Sequence, residues 1–210
     1  MDWTTVFSFI FIASLLVMSP GPNGVLIAKT VPTSGKAAGF ANVAGFVAAF
    51  YVHGTLSILG ISVLLVQSAQ AFFIVKTLGA AYLLWLGFKA LNDARKGIAA
   101  PQKIDPAKNK RTLSKAFFEG FLTNALNPKV SMFYLAAFPQ FIPQEGSAIA
   151  SSFTLVFIHS LLNLIWFSTL VLLFTRLATV ARGGGFQRWL KAITGTVFVG
   201  FGVKLATLTR

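Results

Sequence analysis

The sequence predicts an all-α integral membrane protein, with six transmembrane helices arranged as two inverted three-helix repeats and with the first and fourth helices broken. Three observations carry that prediction. Of the 210 residues, 55% are hydrophobic and 11% are charged, well below the roughly 25% charged content of soluble domains, and the mean hydropathy is +0.74. Basic residues gather in alternate loops. The second half of the chain also repeats features of the first at a constant offset.

A hydrocarbon core of about 30 Å takes roughly 20 helical residues per crossing, and six apolar runs reach that length: 3–28, 38–66, 70–91, 115–138, 148–175 and 188–208. The first run has no basic stretch ahead of it and is too long for the apolar region of a signal peptide, so it is expected to remain as a span. Fourteen of the 18 basic residues fill or flank the loops between spans one and two (Lys29, Lys36), three and four (Lys89 through Lys115) or five and six (Arg176 through Lys191). The loops between spans two and three and between four and five carry none. The positive-inside rule then puts the basic loops in the cytoplasm and both termini outside. The same placement accounts for the net charge of +13 without nucleic acid, and it favours contact with anionic membrane lipids.

Three spans per half is an odd number, so an internal repeat must be inverted across the membrane. An offset of 106 residues brings Pro22 onto Pro128 and His53 onto His159, the only two histidines in the chain. It also lays "FYVHGTLS" (50–57) against "VFIHSLLN" (156–163). The predicted organisation is a first repeat over 1–92, a basic cytoplasmic linker over 93–114 and a second repeat over 115–210.

Within the first span, "MSPGPNG" (18–24) interrupts the helix. Proline removes a backbone donor and obstructs the carbonyl four residues back, so Ser19 to Asn23 are expected to unwind. The matching interruption is "NALNPKV" (124–130). Polar backbone freed inside a bilayer is tolerated only against protein or a wet cavity, and paired interruptions in corresponding spans mark a transporter site near the midplane. The candidate substrate-binding residues are Ser19, Gly21, Pro22, Asn23, Asn127, Pro128 and Lys129.

Ionisable groups inside the spans are few, and each is a functional candidate. Lys129 lies roughly 20 Å into span four by helical rise. It either meets a substrate carboxylate or pairs with carbonyls freed at the kink. Glu119, Thr123, Asn127 and Ser131 recur every four residues and suggest a polar stripe, although Glu119 could instead pair with Lys115. His53 and His159 have Ser57 and Asn163 four residues on, and each is either a proton carrier or a neutral interhelical hydrogen-bonder. His53, His159 and Glu119 are the proton-coupling candidates. Gly39, Gly45, Gly60, Gly79 and Gly87 are expected to permit close helix contact.

"SPGPN", "GAAYLLWLGFKAL" (79–91) and "TNALNPKVSMFYLAAFPQFI" (123–142) resemble the LysE/RhtB (homoserine/threonine resistance) family of bacterial amino-acid exporters, in span pattern as well as in motif. The resemblance implies a six-helix inner-membrane secondary transporter that expels amino acids or derivatives by proton antiport. Its partners would be an amino-acid substrate, protons and lipid, with no cofactor, and it is compatible with a homo-oligomer. The sparse acidity beside Lys129 favours a neutral or zwitterionic cargo such as threonine, homoserine or leucine. One departure is Phe50, where many members carry an acidic residue three positions before the histidine, so no coupling role attaches there. The alternatives are a divalent-cation exporter, for which two histidines and one nearby glutamate are sparse ligands, and a passive channel. No protease- or hydrolase-type constellation is present to suggest an enzyme.

Overall fold

The computed structural model describes residues 2–67, 69–96, 110–143, 147–173 and 184–207, which are almost entirely helical, with no strand among them. Helix α1 spans Trp3–Met18 and is capped by Asp2, whose carboxylate accepts from Thr5 N at 2.6 Å. Helix α2 covers Pro22–Gln67 and α3 covers Ala69–Arg95. Helix α4 is Leu113–Ala125, with Thr112 at its N-cap, and α5 is the short Pro128–Met132. A π-helical turn (Phe133–Ala137) and a 3-10 turn (Phe138–Phe141) follow. Helix α6 spans Ala148–Leu172, capped by Ser147, and α7 spans Gly184–Thr207. The expected linker falls mostly on residues 97–109, and Arg176 and Arg182 on 174–183, all outside the described residues.

Two expectations about span boundaries need correcting. The loop expected between spans one and two is not a loop: helix continues through Lys29, and Gly35 alone turns the chain, at φ 81°. A straight 46-residue helix would run about 70 Å, more than twice the hydrocarbon thickness. A glycine tolerates the positive φ that reverses the direction. The reversal is sharp enough that a Cβ on Gly39 would lie 2.7 Å from Val31 Cγ2, although eight residues of straight helix span about 12 Å. The second correction concerns the first break. Only Ser19 to Gly21 are non-helical, because Pro22 sits at the first helical position, where its missing N–H costs nothing, and Asn23 is already helical.

Helix α1 packs on α6, α2 on α4 and on α6, and α3 on α7. The α2–α4 contact is backbone to backbone: a Cβ on Gly45 would lie 2.2 Å from Phe117 O, and one on Gly120 would lie 2.2 Å from Asn42 O. Asn42 Nδ2 donates to Ala116 O at 2.6 Å across the same seam. Gly87 meets Gly195 and Val199 similarly between α3 and α7. Gly60, expected in the same role, has open space beside it, and the side-chain position of Gly79 lies outside the description.

The polarity is inverted relative to a water-soluble domain. Phe7, Phe11, Leu56, Leu59, Trp85, Phe88, Leu122 and Phe157 are exposed, whereas Asn42, Asn124, His159 and Asn163 are buried. By length and composition, the stretch Pro22–Gly60, which contains the Gly35 turn, and helix Ala148–Leu172 each suffice to cross a bilayer. Apolar surface on this scale is at home in lipid, where it faces hydrocarbon rather than water.

Candidate functional site

The two helix breaks meet at the centre of the molecule. At the first, Ser19 N still donates to Leu15 O at 3.0 Å, but the carbonyls of Leu16 and Ser19 are released by the loss of helix at Ser19–Gly21. At the second, Leu126 and Asn127 leave the helix, and Asn127 Oδ1 caps α5 by accepting from Lys129 N at 3.1 Å. Pro128 opens α5 at the same position that Pro22 takes in α2.

The residue after each proline reaches across to the other break. Lys129 Nζ donates to Leu16 O at 2.9 Å, Ser19 O at 3.0 Å and Ser19 Oγ at 2.9 Å. Asn23 Nδ2 donates to Asn124 Oδ1 at 3.0 Å, at the end of α4. Lys129 thus pairs with carbonyls freed at a break, and that break belongs to the opposite half of the chain. Gly21 lies against this contact: a Cβ there would sit 3.0 Å from Nζ, so the lysine end would have to give by a few tenths of an ångström. Ser19, Gly21, Asn23, Asn127 and Lys129 therefore lie together, while Pro22 and Pro128 contribute the helix starts and are themselves exposed.

Asn124 is the hub, and the sequence reading passed over it. Its Oδ1 accepts from Asn23, its Nδ2 donates to Phe46 O at 2.8 Å, and its carbonyl accepts from His53 Nε2 at 3.1 Å. The available signal was a second asparagine three residues before Asn127, at the same interruption of the span. Tyr134 was missed as well. The π-helical turn that starts at Phe133 carries it into the core, where His53 and His159 both stack on it at centroid distances of 5.6 Å. Turns of this kind recur at functional sites, but no residue type announces one.

His159 is fully buried among Phe9, Phe50, Phe133 and Tyr134, and neither ring nitrogen has a hydrogen-bond partner among the described residues. Phe50 approaches closest, with a centroid distance of 4.3 Å. The pairings expected four residues on from each histidine do not form. Ser57 Oγ donates to Tyr134 O at 2.8 Å, and Asn163 Oδ1 has no partner among the described residues. The π-helical turn exposes a carbonyl that competes for the Ser57 hydroxyl.

Glu119 stands apart from this cluster. It forms an ion pair with Arg111 rather than with Lys115, and Arg111 N also donates to Ser34 Oγ at 2.9 Å, beside the Gly35 turn. The four-residue polar stripe is cut at Leu126, because the non-helical step there breaks the register between Glu119 and Thr123 on one side and Asn127 and Ser131 on the other. Ser131 Oγ instead donates back to Asn127 O at 3.1 Å. Among the described residues no three His, Asp or Glu side chains lie close enough to share a metal ion. A cleft of about 400 Å³ lined by Ser8, Phe11, Ile12, Phe141 and Val197 lies on the N-terminal side of the first break, apart from the crossing.

Sequence comparison supplies independent information. Residues 14–209 match the family described as LysE type translocator. The chain is 33% identical over 205 residues to the membrane protein YrhP of Bacillus subtilis, covering 95% of this chain and 97% of YrhP. It is 28% identical over 197 residues to the threonine efflux protein of Escherichia coli K12, covering 90% and 91%, and 27% identical over 205 residues to that of Salmonella typhi, covering 95% and 96%. No solved structure matches it.

Proposed function

Because this chain belongs to the LysE type translocator family, we propose that it is a secondary transporter that exports neutral or zwitterionic amino acids or their derivatives from the cytoplasm. Relatives named threonine efflux proteins, aligned over nine-tenths of the chain, point to that cargo class. The observation that carries the reading within the molecule is the crossing of the two breaks, where a lysine, freed carbonyls and buried amides converge in an otherwise apolar bundle. Such an arrangement offers donors to a carboxylate and acceptors to an ammonium.

The reciprocal reach of Lys129 and Asn23, and the exchange-symmetric pairing of α1 with α6 and of α2 with α4, support two inverted three-helix repeats. Rocking one repeat against the other would expose the crossing to each side in turn. Proton antiport is the energising step in this reading. His53 and His159 come from equivalent positions of the two halves and meet on Tyr134, within the same cluster as Lys129. One charge moved through 150 mV is worth about 3.5 kcal/mol, which sustains a concentration ratio of roughly three hundred. Glu119, engaged by Arg111, is the weaker candidate for that role.

A mass-spectrometric efflux screen tests the function directly. Cells overproducing the protein should release at least one small neutral amino acid faster than empty-vector cells, and a protonophore should abolish that release. Equal efflux for every amino acid refutes the reading. The termini-outside orientation requires that a reporter active only in the periplasm be silent when fused at residue 104, and activity there reverses the assignment.

A further inference from the structure

The end of α1 is an ammonium-binding cradle, and the ammonium that occupies it is the protein's own. Leu16 O, Ser19 O and Ser19 Oγ supply one acceptor for each of the three hydrogens on Lys129 Nζ, all within 3.0 Å. The Ser19 hydroxyl is oriented for this by donating its own proton to Leu16 O at 2.9 Å. The negative end of the α1 dipole reinforces the attraction for a cation. Gly21 borders the cradle, with the position of a Cβ there 3.0 Å from Nζ. Across the three-residue break, α2 begins with the opposite polarity, and the Oδ1 of the buried Asn23 beside it has no partner among the described residues.

Building on the export reading, we propose that Lys129 is a tethered stand-in for the α-ammonium of the cargo. An amino acid entering the crossing displaces Lys129 Nζ, seats its own ammonium on Leu16 O, Ser19 O and Ser19 Oγ, and receives the released Lys129 ammonium on its carboxylate. No bond is made or broken other than hydrogen bonds and ion contacts. The charge balance is what makes the exchange favourable in a poorly solvated site. Before entry the break holds one cation on three oxygens. After entry it holds one cation on the same oxygens and one neutral carboxylate–ammonium pair, so the net charge is unchanged and no charge is left without a partner. A carboxylic acid lacking the ammonium would leave either the cradle or its own carboxylate unpaired, and a diamino acid would bring a surplus positive charge. The cradle therefore selects for cargo with one free ammonium and one free carboxylate, largely independent of the side chain.

Two measurements test this. The Lys129→Ala variant, purified as the full chain in detergent, has the cradle without its occupant. Addition of n-propylammonium should raise its thermal unfolding midpoint, with no comparable effect on the wild type and none from n-propanol or tetramethylammonium, which lack a charged three-hydrogen donor. Stabilisation of neither protein, or of both alike, overturns the proposal. The second measurement uses the unmodified protein and so does not depend on how well the variant folds. In everted vesicles taking up labelled threonine, unlabelled threonine should compete roughly ten- to a hundredfold better than 2,3-dihydroxybutyrate, its analogue with hydroxyl in place of ammonium, because one charge-assisted contact set is lost. Equal competition overturns the cradle and leaves amino-acid export standing. A wild-type protein that moves no amino acid overturns the export reading itself, while the n-propylammonium result still decides the cradle.

Discussion

The hydrogen bond from Asn23 to Asn124 links the two halves of the chain, and its contribution can be isolated by a double-mutant cycle. Both residues are buried, at 6% and 0% exposure, and the bond is 3.0 Å long. Replacing Asn124 with Ala removes that bond and the 2.8 Å bond to Phe46 O, and it leaves the Asn23 amide without a partner. At about 1 kcal/mol for each of the two bonds, plus about 1–2 for a stranded buried group, the expected cost is about 3–4 kcal/mol. Asn23→Ala removes one bond and strands Asn124 Oδ1, and should cost about 2–3 kcal/mol. In the double variant neither amide is stranded, so the effects should fall short of additivity by about 0.6 kcal/mol, and by no more than about 1.7, the range for interhelical hydrogen bonds in lipid. The assay is unfolding in mixed micelles titrated with a denaturing detergent, followed through Trp3, Trp85, Trp166 and Trp189. Asn42→Ala, whose bond goes to Ala116 O and shares no partner with Asn23, is the additive control. Strict additivity of Asn23→Ala with Asn124→Ala would mean that the crossing bond contributes nothing and that the halves are joined by their other contacts.

Two further outcomes are expected. Gly45→Ala or Gly120→Ala puts a methyl 2.2 Å from Phe117 O or Asn42 O, so α2 and α4 must part by about 1 Å, and the unfolding free energy should fall by about 1–3 kcal/mol. Gly60→Ala, with open space beside it, should change it by less than about 0.5, and equal effects at the three sites would contradict the close seam. For His53→Gln, the amide can still donate to Asn124 O, so substrate exchange in vesicles should persist while the response to a pH gradient weakens. The combined His53→Gln and His159→Gln variant should lose that response, and a double variant that still concentrates substrate against a pH gradient would make both histidines structural.

Local chemistry was legible along the chain. Lipid as solvent follows from composition, because too few charges remain to hydrate a surface. The breaks at Pro22 and Pro128 follow from proline's missing N–H, whatever the surroundings. The type of turn at Gly35 was not legible, since a glycine permits a positive φ without requiring it. Asn23 was expected to be unwound and is helical, because Pro22 starts a helix as readily as it stops one.

Partnership was decided by the tertiary structure. Lys129 could have bonded to its own kink. It reaches Leu16 and Ser19 because α2 and α4 approach backbone to backbone at Gly45 and Gly120, drawing the two breaks together. Glu119 has Lys115 one turn away, yet it pairs with Arg111, which returns along α4 beside Ser34. Tyr134 sits in a run of apolar residues with nothing to distinguish it until one wide helical turn carries it against both histidines. Helix starts, stops and lipid-facing surfaces depend on neighbours a few residues away. The choice of which buried group satisfies which depends on helices brought into register over a hundred residues of chain, where each buried polar atom is bound by whatever partner the packing leaves within 3 Å.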